Sequence, residues 1–184
     1  MLQFLRGNRV DRVEGGSARY GLRLRLWDSL ISAIGKLVTD PIYFYTKTMP
    51  YWGLSNFSPP GIEVDGWYWP TVEHYFQAQK FLEPEAQERI RRASSPKAAR
   101  ELGQSRTFML RPSWDDLREA VMLKALRVKF SHPSARSLLI STGDHLLVES
   151  SPFNYFWAAG QDGSGLNRLG HLLMQVRSEL SHGV

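Results

Sequence analysis

From Trp114 to Phe130 the chain sets Leu117, Val121, Ala125 and Val128 on one stripe, a three-to-four-residue spacing that predicts an amphipathic helix. A second clear period follows Asn167, where Leu169, Leu172, Leu173, Val176 and Leu180 share one face, with Asn167 expected to cap the helix. Shorter helices are predicted over 85–92, 96–102 and 134–141, and another from Thr71, whose hydroxyl can cap free amides, to about Leu82. Strand formers concentrate in PIYFYTK (41–47), in IEVDGWYW (62–69) and in HLLVESSP (145–152), with an aromatic loop or strand at 153–157. The Asp65-Gly66 pair predicts a two-residue hairpin turn. Leu26, Leu30, Ile34, Leu37 and Val38 predict one more short helix, ended by Asp40-Pro41. The expected fold class is α+β, a predominantly helical single domain over 41–184 with a few short antiparallel strands.

Composition adds four constraints. At 184 residues the chain is long enough to bury its own core. It has no cysteine, which removes disulfides and thiolate chemistry and fits a cytoplasmic setting. No apolar run approaches the roughly 18 residues a membrane span needs, so no membrane partner is expected. The net charge of +5 favours an anionic partner. Residues 1–40 carry seven basic and four acidic side chains, and Gly7, Gly15, Gly16 and Gly21 interrupt any period there. This basic N-terminal extension is expected to be partly disordered, as a solvated leader; a DNA-tracking arm and a transit peptide are the alternatives.

The chemistry concentrates in WPTVEHYFQAQKF (69–81). On a helix from Thr71, Glu73, Gln77 and Lys80 share one face while Tyr75, Ala78 and Leu82 point the other way. Such a stripe is either a solvated surface or a site, and spacing alone does not choose. Trp52, Phe57, Trp67, Tyr68 and Trp69 precede it, more rings than a small β-layer easily hides, so some are expected to line a pocket. The five histidines show no metal-ligand spacing, and no metal or cofactor is expected.

LSNFSPPGIEVDGWYWPTVEHYFQAQKF (54–81) resembles the signature of the NADAR superfamily. The likeness continues through SPKAARELG, LRPSWDD, VMLKALRVKF, LLISTGDHLLVESSP and GQDGSGLNRLGHLLMQVR, covering about residues 42–180. The resemblance implies hydrolysis of an N-glycosidic bond between a phosphorylated ribose and a nitrogenous base. Family activities include removal of ADP-ribose from guanine in DNA, and cleavage of phosphoribosylamino-pyrimidine intermediates of riboflavin synthesis. ADP-ribosylated DNA is the leading expected partner, the riboflavin-type substrate the alternative. A catalytically silent module that binds ADP-ribose or NAD is the third reading.

Breaking such a bond builds positive charge at the anomeric carbon, and a carboxylate stabilises it. The expected catalytic residues are Glu73 as that carboxylate, Lys80 as either an anion clamp or a Schiff-base amine, and Asn154. Relatives commonly carry aspartate at the place of Asn154 and glycine at that of Ala158, a departure that bears on fine mechanism. The expected substrate-binding residues are Asn56, Phe57, Trp69, His74, Gln77, Trp114, Trp157, Gly163 and Asn167. Asn56 equally suits a turn, and Trp114 a helix start. Gly163 and Asn167 stand in a glycine-rich turn whose amides suit phosphate, although capping explains it as well.

Overall fold

The computed structural model describes residues 39–183; the extension and the helix expected within it, apart from Thr39 and Asp40, lie outside the described residues. In chain order the elements are β1 (Ile42–Phe44), a 3-10 turn (Trp52–Leu54), β2 (Ile62–Val64), β3 (Trp67–Trp69), α1 (Val72–Ala78), α2 (Pro84–Arg91) and α3 (Pro96–Gln104). They continue with α4 (Trp114–Ser131), α5 (Pro133–Ile140), β4 (Leu147–Glu149) and α6 (Arg168–His182). The α+β class holds. Among the described residues its strands form two separate pairs, of which only β2–β3 is antiparallel. β1 and β4 pair in parallel, Ile42 opposite Leu147, because the helices between them carry the chain back to the same end.

Asp65 and Gly66 both take positive φ, 55° and 78°, as a tight hairpin turn requires. Thr71 caps α1 by accepting the His74 amide at 3.4 Å. The helix is shorter than expected. After Ala78 the amides of Lys80 and Phe81 reach back only three residues, to Gln77 and Ala78, so the last turn tightens and the chain leaves the helical path. Phe81 is thereby buried and Leu82 turned out to 60% exposure, reversing the face expected for Leu82.

Every residue of α1 is buried, since α2, α3 and α4 all pack against it. The fully buried line along α4 runs through Met122, Ala125, Leu126, Lys129 and Phe130, while Leu117, Val121 and Val128 are only half-buried. The stripe read from leucine and valine was therefore rotated: Lys129 occupies a core position. α6 packs on α4, α5 and β4 and closes the far side of the core with Leu169, Leu172, Leu173 and Val176.

Candidate active site

Because α1 is enclosed on all sides, its polar residues cannot be a solvated stripe; Glu73 is 6% exposed and Gln77 4%. They face inward to a cavity of about 440 Å³ lined also by Lys80, Arg100, Glu149, Asn56, Phe57, Asn154 and Trp157. Six segments converge there: the loop after β1, the 52–57 turn, α1 with its tightened end, α3, α4, and the end of β4 with the chain that follows it. The Glu73 amide donates to the Asn56 carbonyl at 3.1 Å, docking the turn on the start of α1. Phe76 and Trp157 meet edge-to-face at 5.3 Å and form the cavity's aromatic wall.

Gln77 Nε2 donates to Glu73 Oε1 at 2.7 Å. Burial nonetheless raises the Glu73 pKa, against the opposing pulls of that hydrogen bond and of the Arg100 and Lys80 charges. Lys80 donates to the Gly103 carbonyl at 3.2 Å, and its Nζ lies 5.9 Å from the centre of the Phe76 ring. Burial lowers the Lys80 pKa, the Glu73 charge pulls it back up, and Arg100 pushes it down again. At the end of β4, burial and then the Glu73 charge push the Glu149 carboxyl up to about 7, against Arg100. Asn56 Oδ1 and Gln77 Oε1 are buried acceptors with no donor among the described residues, and Gln77 Oε1 lies close against Gly103.

The structure brings Glu73, Gln77, Lys80, Asn56, Phe57, Asn154 and Trp157 together, as expected. Asn154 contributes chiefly by shape: its Oδ1 accepts the Phe156 and Trp157 amides at 3.0 and 2.8 Å and holds the aromatic loop. Five other candidates lie elsewhere. Trp69 is a core residue, its Nε1 donating to Val64 O and its ring set against Tyr75 at 5.5 Å. His74 points to the far side of α1, hydrogen-bonded to Thr71 and the Ala93 carbonyl. Trp114 packs on Phe76 and borders a second cavity, of about 390 Å³, which adjoins the first along Lys80 and Gln104 and includes Arg106 and Phe108. Gly163 is exposed and lines neither cavity. Asn167 makes no side-chain cap; its amide instead bridges β4, donating to Leu147 O at 2.8 Å and accepting the Glu149 amide at 3.0 Å.

Sequence reasoning missed Glu149, Arg100, Lys47 and Tyr45. A charged residue closing an otherwise apolar strand was the available signal for Glu149; Arg100 had none, since α3 carries several surface charges. Among the described residues no cluster of histidine and carboxylates is arranged to hold a metal ion, and no helix is long and apolar enough to cross a membrane.

Gly103 shows how closely α3 approaches the site. An added Cβ would collide with Gln77 Oε1 and come within 2.8 Å of the Gln77 Cβ. Gly103→Ala is expected to displace Gln77 from Glu73, costing about 1–3 kcal/mol of stability in a denaturant titration. Turnover should drop at least about tenfold, because misplacement near a reacting group is costly.

These features define an α+β domain in which an acid, an amine and several cations face one ring-walled cavity. The NADAR domain model matches residues 43–181, and the chain belongs to that family. It is similar to the N-glycosidase YbiA of Escherichia coli (strain K12), 48% identical over 141 residues, covering 76% of this chain and 88% of that protein. The NMR structure of E. coli YbiA matches with a TM-score of 0.73 at 45% identity, covering 79% of this chain and 88% of that one. The chain is also 40% identical over 158 residues to the riboflavin biosynthesis protein PYRR, chloroplastic, of Zea mays, covering 77% of this chain and 25% of that longer protein.

Proposed function

We propose that the chain is a hydrolase of N-glycosyl bonds, acting where a phosphorylated ribose is joined to a nitrogenous base. The observation that carries this is Glu73 and Lys80 facing one cavity in a chain 48% identical to a named N-glycosidase. The C–N bond breaks with its electron pair leaving on nitrogen, and the Glu73 carboxylate stabilises the positive charge left at the anomeric carbon. The Asn56 side chain hydrogen-bonds ribose hydroxyls, Arg100 and Lys47 draw in phosphate, and Phe57 and Trp157 offer faces to the base. Water adds to the anomeric carbon with loss of a proton and the ribose opens to its aldehyde; the Lys80 amine, its pKa lowered by burial, captures the aldehyde as an imine, releasing water, and hydrolysis of the imine restores the lysine.

The preferred substrate is ADP-ribose attached to guanine in DNA. The second cavity, with Arg106 beside Phe108, extends the site beyond what a single phosphoribosyl group occupies, and the net charge of +5 favours a polyanion. A riboflavin-type phosphoribosylamino-pyrimidine is the second reading, favoured by the name of the maize relative. Purified protein offered both substrates decides between them: release of ADP-ribose from modified DNA, with no action on the pyrimidine, is the expected result. Borohydride added during turnover is expected to fix sugar to Lys80 and not to Lys80→Ala. Failure to trap an adduct leaves Lys80 as an electrostatic clamp, and tight ADP-ribose binding without turnover of any substrate would mark a binding module instead.

A further inference from the structure

Departure of a base needs two opposite things from the site. A negative charge must meet the sugar as it turns cationic, and a proton must reach the leaving nitrogen. One carboxyl cannot hold both states at once. The cavity has a second carboxyl, Glu149, and the surroundings of the two differ in kind.

Glu73 is the better anion. It accepts a hydrogen bond from Gln77, and Arg100 and Lys80 both favour its charged form. Glu149 receives no hydrogen bond at its carboxyl from the described residues, and its principal charged neighbours are Glu73, which opposes ionisation, and Arg100, which favours it. The titratable and charged groups that share the cavity with it are Tyr45 and Lys47 after β1, Glu73 and Lys80 on and just after α1, and Arg100 on α3. Its backbone is fixed: Asn167 accepts its amide, and its carbonyl accepts the Ala159 amide at 2.8 Å. Burial raises both acids, but only Glu73 has a hydrogen-bond donor and a second cation to favour its anion, so the two divide into separate roles.

We infer that Glu149 is the proton donor to the departing base nitrogen, in the cavity it shares with the ionised Glu73; this rests on the N-glycosidase reading. The Glu149 proton passes to the nitrogen as the C–N bond breaks, leaving a carboxylate. That carboxylate then takes a proton from the water that releases the sugar, which restores the acid and balances the cycle. Asn167, by bridging β4, is a positioning residue for it.

The test uses the full chain and two substrates: an N-ribosyl base phosphate, and the nitrophenyl riboside phosphate, whose leaving group departs without a proton. Glu149→Gln is expected to lose about 10²–10⁴-fold on the N-riboside. Single-turnover release of nitrophenolate, which precedes the attack of water and needs neither proton transfer, should fall by less than about tenfold. The fall in wild-type rate as pH rises through about 7, where the acid deprotonates, should vanish in the variant. Equal losses on both substrates, or no loss on either, overturn the assignment. Infrared titration of the resting protein gives a readout independent of turnover. A protonated carboxyl band at pH 6, missing in Glu149→Gln and titrating at lower pH in Glu73→Gln, supports the pairing; a band indifferent to Glu73→Gln overturns it. Should wild type cleave no N-riboside, the N-glycosidase reading fails, and the infrared result alone then decides the pairing.

Discussion

Glu73→Gln is expected to lower turnover by about 10²–10³-fold or more, the scale on which removing one charge-stabilising group acts, while leaving the affinity for ADP-ribose close to wild type. The substitution keeps the side chain's volume inside a fully packed helix, so the fold should survive. It removes the charge facing the sugar but leaves the ring wall, Asn56 and Arg100 that hold a ligand. A loss in kcat with binding unchanged, measured by single-turnover assay and calorimetry, identifies an interaction made mainly in the transition state. The same variant shifts Lys80. Since the Glu73 charge raises the Lys80 pKa, its removal lets burial lower that pKa further, and more free amine is present at neutral pH. Trapping at Lys80, if any sugar is opened, should therefore extend to lower pH. Weakened binding together with lost turnover would show instead that Glu73 only holds the ligand.

Much of this arrangement could be read from residue pattern, for physical reasons that vary by element. The hairpin was legible because Asp65-Gly66 is one of few pairs that tolerate positive φ at both positions. Five of the helices were legible from period and proline starts, each within about two residues of its observed bounds, the usual margin for fraying ends. The end of α1 was not, because Gln79 and Lys80 are good helix formers and only the burial of Phe81 turns the chain away. Likewise the parallel pairing of β1 with β4 joins segments more than 100 residues apart, and neither strand carries a local sign of its partner.

The site divides along the same line. Glu73, Gln77 and Lys80 were legible as a group because they lie within one short segment, although Lys80 reaches the cavity from the tightened turn after α1 and not from the helix itself. Glu149 and Arg100 enter from other elements, so their meeting with Glu73 is purely tertiary. The rings misled in part. Trp69 alternates with Tyr68 along β3, so the same run puts one ring in the core and the next in solvent, and neither lines the cavity. Asn167 looked like a cap by position, but its positive φ of 48° turns the side chain to β4 instead.

Lys129 produces the second large expected effect. It is fully buried under the 55–58 turn, its Nζ donating to Ser55 O at 2.7 Å, Ser58 O at 3.2 Å and Ser58 Oγ at 2.7 Å. That turn carries Asn56 and Phe57 into the cavity, so the lysine supports the site from beneath. Lys129→Ala is expected to cost about 3 kcal/mol or more, from the space left and from acceptors stripped of their donor. The melting temperature should fall by roughly 6–12 °C. Lys129→Met keeps the volume of the stem and should recover the packing share but not the hydrogen bonds. Burial pushes Lys129 down to about 7, below its ordinary range. The unfolded chain therefore binds more protons between that pH and about 10, and wild-type stability should rise relative to Lys129→Ala across that window. Denaturant titrations of both proteins at pH 7 and pH 9.5 measure the slope. A difference that stays flat would mean that the three acceptors keep the ammonium charged in the fold as in the unfolded chain. The turn would then be held by a buried cation, and its loss should weaken ligand binding through Asn56 as well as stability.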